Sequence, residues 1–269
     1  MQSIKSAVKD FNLEDIKKRV SLLTSTAKTE PEPKDKYLCH KCKDEEGFLI
    51  RVKAGDGPFD YRDVWHDCEC KNERRIERLM KSSKITEEFQ SKRLNNFNIE
   101  GRPLAVVQAF EAAENYAKGF RSIKDTRHNS IALLGRPGCG KTHLLMAISN
   151  HLLKNGVGVV YFPWVEGFNE IKDNLDMMES RIRQLQQAEV LYIDDMFKGR
   201  REPTDFQMEQ LFAIINYRYL EKKPILISSE KTVMQICEYD EGIGSRINEM
   251  CKEYKVVLTG GIELNYRLQ

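Results

Sequence analysis

The chain reads as an α/β protein: a parallel sheet flanked by helices around a phosphate-binding loop, preceded by a small metal-held module. Three observations predict this. An apolar run, Ser130 to Leu134, leads directly into Gly135-Arg136-Pro137-Gly138-Cys139-Gly140-Lys141-Thr142, a complete G-x-x-x-x-G-K-T loop. Apolar runs then alternate with helical stretches, at Val157 to Phe162, Val190 to Ile193, Pro224 to Ser228 and Lys255 to Leu258, the pattern of strands buried on both faces of a mainly parallel sheet. Four cysteines stand in two close pairs near the N-terminus.

Composition sets bounds. A chain of 269 residues has room for one ordinary domain and a small one. With 43 basic against 41 acidic residues, net charge favours no class of partner, and any nucleic-acid footprint must be local. No apolar stretch approaches the ~20 residues of a membrane span, and Met1 to Val8 carries lysines without an apolar signal core. The expectation is a cytoplasmic protein with no membrane partner. Seven cysteines are an odd count for a disulfide framework, and in a reducing compartment paired spacings read as metal ligation.

The elements follow in order. Ile4, Val8, Ile16, Val20 and Leu23 recur at helical spacings before a polar stretch with Pro31 and Pro33, so residues 1–36 read as short amphipathic helices and a linker. Residues 37–80 form the cysteine module. Cys39-x-x-Cys42 and Cys68-x-Cys70 are separated by 25 residues holding Gly47, Gly55, Gly57 and Pro58. Four soft ligands in two tight pairs suit tetrahedral zinc, and a module this small needs the metal to fold. His40 or His66 is an alternative fourth ligand, and reduced thiols or a redox pair are the alternative to zinc. Lys71 to Arg93 reads as a basic helix, with eight Lys or Arg against four Glu, and residues 81–102 as a connector. Residues 103–269 form the nucleotide-binding domain, which opens with a helix from beyond Pro103 to about Phe120. Cys139, Cys237 and Cys251 read as ordinary thiols with respect to metal.

The loop carries the chemistry. Its glycines let successive N–H groups face a β-phosphate, Lys141 supplies charge to the β- and γ-phosphates, and the Thr142 hydroxyl ligates magnesium. Gly135, Pro137, Gly138, Cys139, Gly140 and His143 complete the expected ATP/ADP site, and a helix starting near Gly140 adds its positive end. Val190 to Asp195 is an apolar strand ending in two acids some fifty residues later. Asp194 is the expected magnesium partner and Asp195 the group that orients or deprotonates the attacking water. Ile225 to Glu230 ends in polar residues, and in a doubly wound sheet that end lies beside the γ-phosphate. Arg246, in the glycine-bounded helix start Glu241 to Ile247, is placed to reach a neighbouring subunit's nucleotide; a solvated surface arginine is the bland alternative.

Phosphate loop, I-D-D strand end, I-S-S-E, G-S-R-I and the terminal Asn265-Tyr266-Arg267-Leu268 stand in the order found in bacterial helicase loaders. Over about residues 39–269 the chain resembles DnaC/DnaI-type AAA+ ATPases, especially the phage and Gram-positive forms that begin with a cysteine module. The resemblance implies a P-loop NTPase fold without a separate helical lid, weak ATP hydrolysis regulated by DNA or partner, and self-association through the ATPase domain. It implies docking of Cys39, Cys42, Cys68 and Cys70's module onto a replicative hexameric helicase. By the same likeness Arg246 matches an inter-subunit finger, Arg267 a second sensor arginine, and Ser228 to Glu230 the first sensor. That sensor commonly ends in Asn, where this chain has Glu230; a carboxylate there repels γ-phosphate or needs a bridging cation or water, and Ser229 is the alternative polar contact. Loaders also bind single-stranded DNA. Phe162 and Trp164, and above all Phe197-Lys198-Gly199-Arg200-Arg201, combine aromatic and basic groups as such binding requires, against the plainer reading of strand-end packing and a solvated loop. Two alternatives remain: a transposase-helper ATPase on duplex DNA, which generally lacks the cysteine pairs, and a small-molecule phosphotransferase, which needs an acceptor pocket.

Overall fold

The computed structural model describes residues 37–55, 57, 59–199 and 201–268; the expected N-terminal helices and linker, and Arg200, lie outside the described residues. The chain divides into two compact units, Met1–Lys71 and Asn72–Gln269.

In the first unit, strands β1 (Gly47–Lys53) and β2 (Tyr61–Asp67) pair antiparallel, with Gly47 opposite Asp67 and Lys53 opposite Tyr61. Before β1 the chain makes a tight knuckle in which Lys43, Asp44 and Glu46 take φ of 51°, 73° and 62°. The Asp44 carboxylate holds it by accepting the N–H groups of Leu38 (3.2 Å) and Cys39 (2.8 Å). The Cys68 N–H donates to the Glu46 carbonyl at 2.9 Å, which ties the second cysteine pair to the first. Helix α1 (Cys70–Ser82) carries the chain onward.

The second unit continues through a short helix α2 (Glu87–Gln90), a 3₁₀ turn (Leu94–Asn96) and α3 (Leu104–Ile123). Five strands and six helices follow: β3 (Ile131–Gly135), α4 (Lys141–Lys154), β4 (Val159–Pro163), α5 (Trp164–Asp173), α6 (Met178–Gln187), β5 (Val190–Met196), α7 (Asp205–Leu220), β6 (Ile225–Ser229), α8 (Val233–Tyr239), α9 (Glu241–Met250) and β7 (Lys255–Leu258). All the strands are parallel, in the order β4-β5-β6-β3-β7. Side chains alternate across the sheet. Ile131 and Leu133 pack with α3 and α4 through Val106, Tyr116, Leu144 and Ile148, while Ala132 and Leu134 pack with α5 to α9 through Phe168, Leu185, Leu211, Ile236 and Ile247. Burial of both faces is why the strand sequences are continuous apolar runs. After β7 the described residues form only 3₁₀ turns, at Ile262–Leu264 and Tyr266–Leu268.

The basic stretch from Lys71 is not one helix. α1 ends at Ser82, Lys84 takes φ +61°, and the buried Ser83 offers its carbonyl to the Tyr161 N–H of edge strand β4 at 2.9 Å. What reads as a connector at 81–102 is pinned to α4. Asn150 Nδ2 donates to the carbonyls of Phe89 (2.8 Å) and Lys92 (2.9 Å), and His143 Nε2 lies 3.1 Å from the Arg93 carbonyl. These polar contacts tie the segment after α1 to the sheet domain.

Among the described residues one ionised side chain is wholly inside. Arg218 on α7 has no exposed surface and donates through Nη1 to the carbonyls of Leu185, Gln186 and Ala188 (2.9, 3.0 and 2.9 Å), and through Nη2 to that of Pro224 (2.6 Å). It caps the C-terminal end of α6, where orphan carbonyls and the negative end of the helix favour a cation. Burial lowers its pKa to about 9, so it remains charged at neutral pH.

Candidate nucleotide site and cysteine cluster

The loop between β3 and α4 curls as its glycines allow. Gly138 (φ +76°) and Gly140 (φ +93°) are left-handed, and a Cβ on either would lie 1.8 Å from Asn265 Oδ1 or 2.5 Å from the Phe97 ring, so both conformation and space demand glycine. Lys141, buried, donates from Nζ to the carbonyls of Gly135 (2.8 Å) and Arg136 (2.7 Å), and burial lowers its pKa. The buried Cys139 thiol donates to the Arg136 carbonyl at 3.0 Å and stiffens the turn. His143 Nε2 lies 2.9 Å from Asn96 Oδ1, and its ring meets that of Phe97 edge-on at 5.2 Å.

Asp194 sits at the end of β5 inside a cage of hydroxyls. Its Oδ1 accepts Thr142 Oγ1 (3.1 Å), Tyr192 (2.6 Å) and Ser228, and its Oδ2 accepts Tyr161 (3.2 Å). Tyr161 and Tyr192 are register partners on β4 and β5, which is why their phenols converge on one carboxylate. Thr142 and Asp194 thus meet as a hydroxyl and a carboxylate suited to one magnesium ion. At Asp195 the strand breaks register with β6 and the backbone turns to φ +51°, with its N–H donated to Ser228 Oγ at 2.7 Å. Burial, then the neighbouring Asp194, raises the Asp195 carboxyl, the direction that suits a general base.

A cleft of about 530 Å³ is lined by Pro137, Gly138, Gly140, Lys141, Thr142, His143, Asp194, Asp195, Lys198, Glu230 and Arg267, together with Phe97, Arg102 and Tyr266. Sequence reasoning missed the last three. The Tyr266 N–H donates to the Gly138 carbonyl at 3.0 Å, and the Arg102 guanidinium lies 4.8 Å over the Tyr266 ring. Phe97 and Arg102 have no motif around them, and Tyr266 stands in the terminal motif only as the neighbour of Arg267, so the fold is what brings the three together. Ser229 takes no part in the cleft: its hydroxyl donates to the Met196 carbonyl (2.6 Å) and accepts the Lys231 N–H (3.1 Å). Arg246 lies outside it, stacked over Phe212 (5.5 Å) and Tyr219 (5.4 Å), with Nη1 donating to the Gly242 carbonyl at 2.8 Å.

The aromatic side chains expected to form a single-strand platform are buried. Phe197 is buried, its ring 4.9 Å from Trp164 and 5.3 Å from Tyr239; Trp164 and Phe162 are core residues as well. Lys198 turns into the cleft and pairs with Glu230. Arg201 is exposed, its carbonyl accepting the Tyr239 hydroxyl at 3.2 Å.

In the first unit the sulfurs of Cys39, Cys42, Cys68 and Cys70 all lie within 4.8 Å of one another, with Cys39 to Cys68 at 3.8 Å and Cys42 to Cys70 at 3.3 Å. Four thiolates about 2.3 Å from a tetrahedral ion stand about 3.8 Å apart, so the cluster fits. Neither histidine joins it: His40 is exposed, and the His66 ring lies 5.5 Å from Phe48. The Cys42 backbone N–H lowers the Cys39 thiol to about 6, whereas desolvation raises Cys70; a shared cation resolves that opposition by stabilising every thiolate at once.

A model of the bacterial DnaA ATPase domain matches residues 93–251. The phage-like element PBSX protein XkdC of Bacillus subtilis (strain 168) is 44% identical over 239 residues, 87% of each chain. The uncharacterized protein YqaM of the same strain is 46% identical over 231 residues, covering 83% of this chain and 74% of its own. Among solved structures, DnaI aligns with a TM-score of 0.54 at 21% identity over 66% of this chain and 93% of its own. The DnaC helicase loader aligns at 0.54 and 21% over 65% and 100%. The replication initiator DnaA bound to AMPPCP and single-stranded DNA aligns at 0.51 and 20% over 67% and 53%. These three share the fold.

Proposed function

The chain belongs to the bacterial DnaA ATPase-domain family, and from that premise we propose that it is an ATP-switched loader of a replicative hexameric DNA helicase in replication initiation. It is an AAA+ ATPase. The observation that carries the reading is the convergence of Lys141, Thr142, Asp194, Asp195 and Arg267 on one cleft, in a fold shared with DnaI and with the DnaC helicase loader.

In this reading the loop N–H groups and Lys141 hold the phosphates, and Lys141 exchanges its two carbonyl partners for phosphate oxygens. Thr142 and Asp194 hold magnesium, which neutralises developing charge on the phosphates when bound. Tyr161, Tyr192 and Ser228 fix the Asp194 carboxylate for that task, Asp195 orients the attacking water, and Arg267 faces the nucleotide from the C-terminal turn. Arg246 serves a neighbouring subunit's nucleotide, so ATP governs how ATPase subunits associate. Hydrolysis is weak and rises with DNA or partner. Zinc on the four cysteines holds the module that docks onto the helicase. The likeness to a DnaA bound to AMPPCP and single-stranded DNA supports single-stranded DNA as the nucleic-acid partner, and the site of action is cytoplasmic.

Lys141→Ala is expected to weaken ATP binding by about a hundredfold or more, the ~3 kcal/mol of a charge-assisted contact, measured by calorimetry; unchanged affinity contradicts the nucleotide site. The loader role is tested by native mass spectrometry of the zinc-loaded chain with the host's hexameric helicase, with and without ATP. A stoichiometric complex that disappears in Cys39→Ser/Cys42→Ser supports it. No complex under any nucleotide condition overturns it.

A further inference from the structure

Resting on the reading of the cleft as an ATP site, we propose that Lys198 is its γ-phosphate-sensing residue. Glu230 holds the Lys198 ammonium in the cleft, and the terminal phosphate of ATP takes it over.

The two side chains reach the cleft from the ends of adjacent strands, Lys198 from the turn after β5 and Glu230 from the end of β6, and they form an ion pair. The turn presenting Lys198 is rigid for reasons unrelated to nucleotide. Its N–H donates to the Asp195 carbonyl at 2.9 Å, and Asp195, Phe197 and Gly199 all take positive φ. Phe197, immediately before it, is locked between Trp164 and Tyr239. A lysine of an ordinary solvated loop is not held this way.

Charge supplies the reason. The acids Asp195 and Glu230 face the cleft beside the magnesium-holding Asp194, and a terminal phosphate brings further negative charge to the strand ends where Glu230 sits. An ammonium at those strand ends offsets that repulsion, and Lys198 stands there, while Arg102 and Arg267 reach the cleft from other elements. Glu230 thus costs ATP binding little while Lys198 is present, and its ammonium is given up only to a group more negative than itself. ADP lacks that group. The pair is 41% and 35% exposed, and ion pairs this wet contribute little to folding, so substitutions read the nucleotide and not the fold.

The test is calorimetric titration of the full zinc-loaded chain with magnesium and either AMPPCP, as a non-hydrolysable ATP analogue, or ADP. For Lys198→Ala the analogue's affinity falls about tenfold or more while that of ADP stays within about twofold. Lys198→Arg retains the preference, Glu230→Gln strengthens analogue binding, and Lys198→Ala/Glu230→Gln recovers part of the loss. Equal changes for the two nucleotides, or none, overturn the inference and leave the nucleotide site standing. A wild-type chain that binds neither overturns the nucleotide reading and this inference with it.

Discussion

Stripping metal from the cysteine module is expected to unfold residues 37–71 and leave the ATPase unit folded. Among the described residues almost nothing else holds the module. Its buried residues among those described are Cys42, Cys68 and Gly47, whereas Leu38, Leu49, Phe59, Tyr61 and Trp65 are 92%, 64%, 90%, 54% and 51% exposed. An isolated two-stranded hairpin is marginal in water, and a structural zinc site supplies roughly 10–16 kcal/mol of apparent folding free energy. Hydrogen exchange read by mass spectrometry checks this. With chelator, amides of β1 and β2 lose protection while those of β3, β5 and β6 keep theirs, and ADP affinity is unchanged. Cys39→Ser and Cys68→Ser reproduce the loss without chelator. Strand amides that stay protected in protein carrying no metal contradict the assignment.

Arg218→Met is expected to destabilise the ATPase unit by about 3 kcal/mol and lower its Tm by roughly 6–12 °C. Methionine fills similar volume, so the effect is polar. Five carbonyls lose their donor, each worth ~1–3 kcal/mol if left unsatisfied, and relief from burying a cation offsets part of the sum. Arg218→Lys recovers little, because one ammonium cannot reproduce a planar fork that reaches the end of α6 and the carbonyl before β6 together. Urea denaturation of the zinc-loaded chain measures it. A methionine variant as stable as wild type means that water or backbone movement satisfies those carbonyls.

What was legible in the sequence was whatever depends on neighbours along the chain. The loop from Gly135 to Thr142 carries its own chemistry, the acids Asp194 and Asp195 stand at a strand end that the four positions Val190 to Ile193 announce, and the cysteines pair at ligand spacing. Phe197 shows the opposite case. Beside Lys198, Arg200 and Arg201 it looks like a stacking platform, but the turn at Asp195 sends its ring into the core and Lys198 into the cleft. Glu230 looked hostile to a phosphate because its counter-ion lies thirty-two residues away in sequence. Arg102 and Tyr266 come from opposite ends of the sheet domain, and Arg218, within α7, gives no sign in the sequence that five carbonyls await it.

By itself the sequence determined a parallel sheet around a phosphate loop, the two acids at the end of β5 and a four-cysteine module, because strand periodicity, turn conformation and ligand spacing are local properties of the chain. Only the tertiary structure decided which charges face the nucleotide and which aromatics are core. Strand order and register choose those neighbours, placing Tyr161 beside Tyr192, the end of β5 beside the end of β6, and the C-terminal turn against Gly138, and no spacing along one chain encodes such pairings.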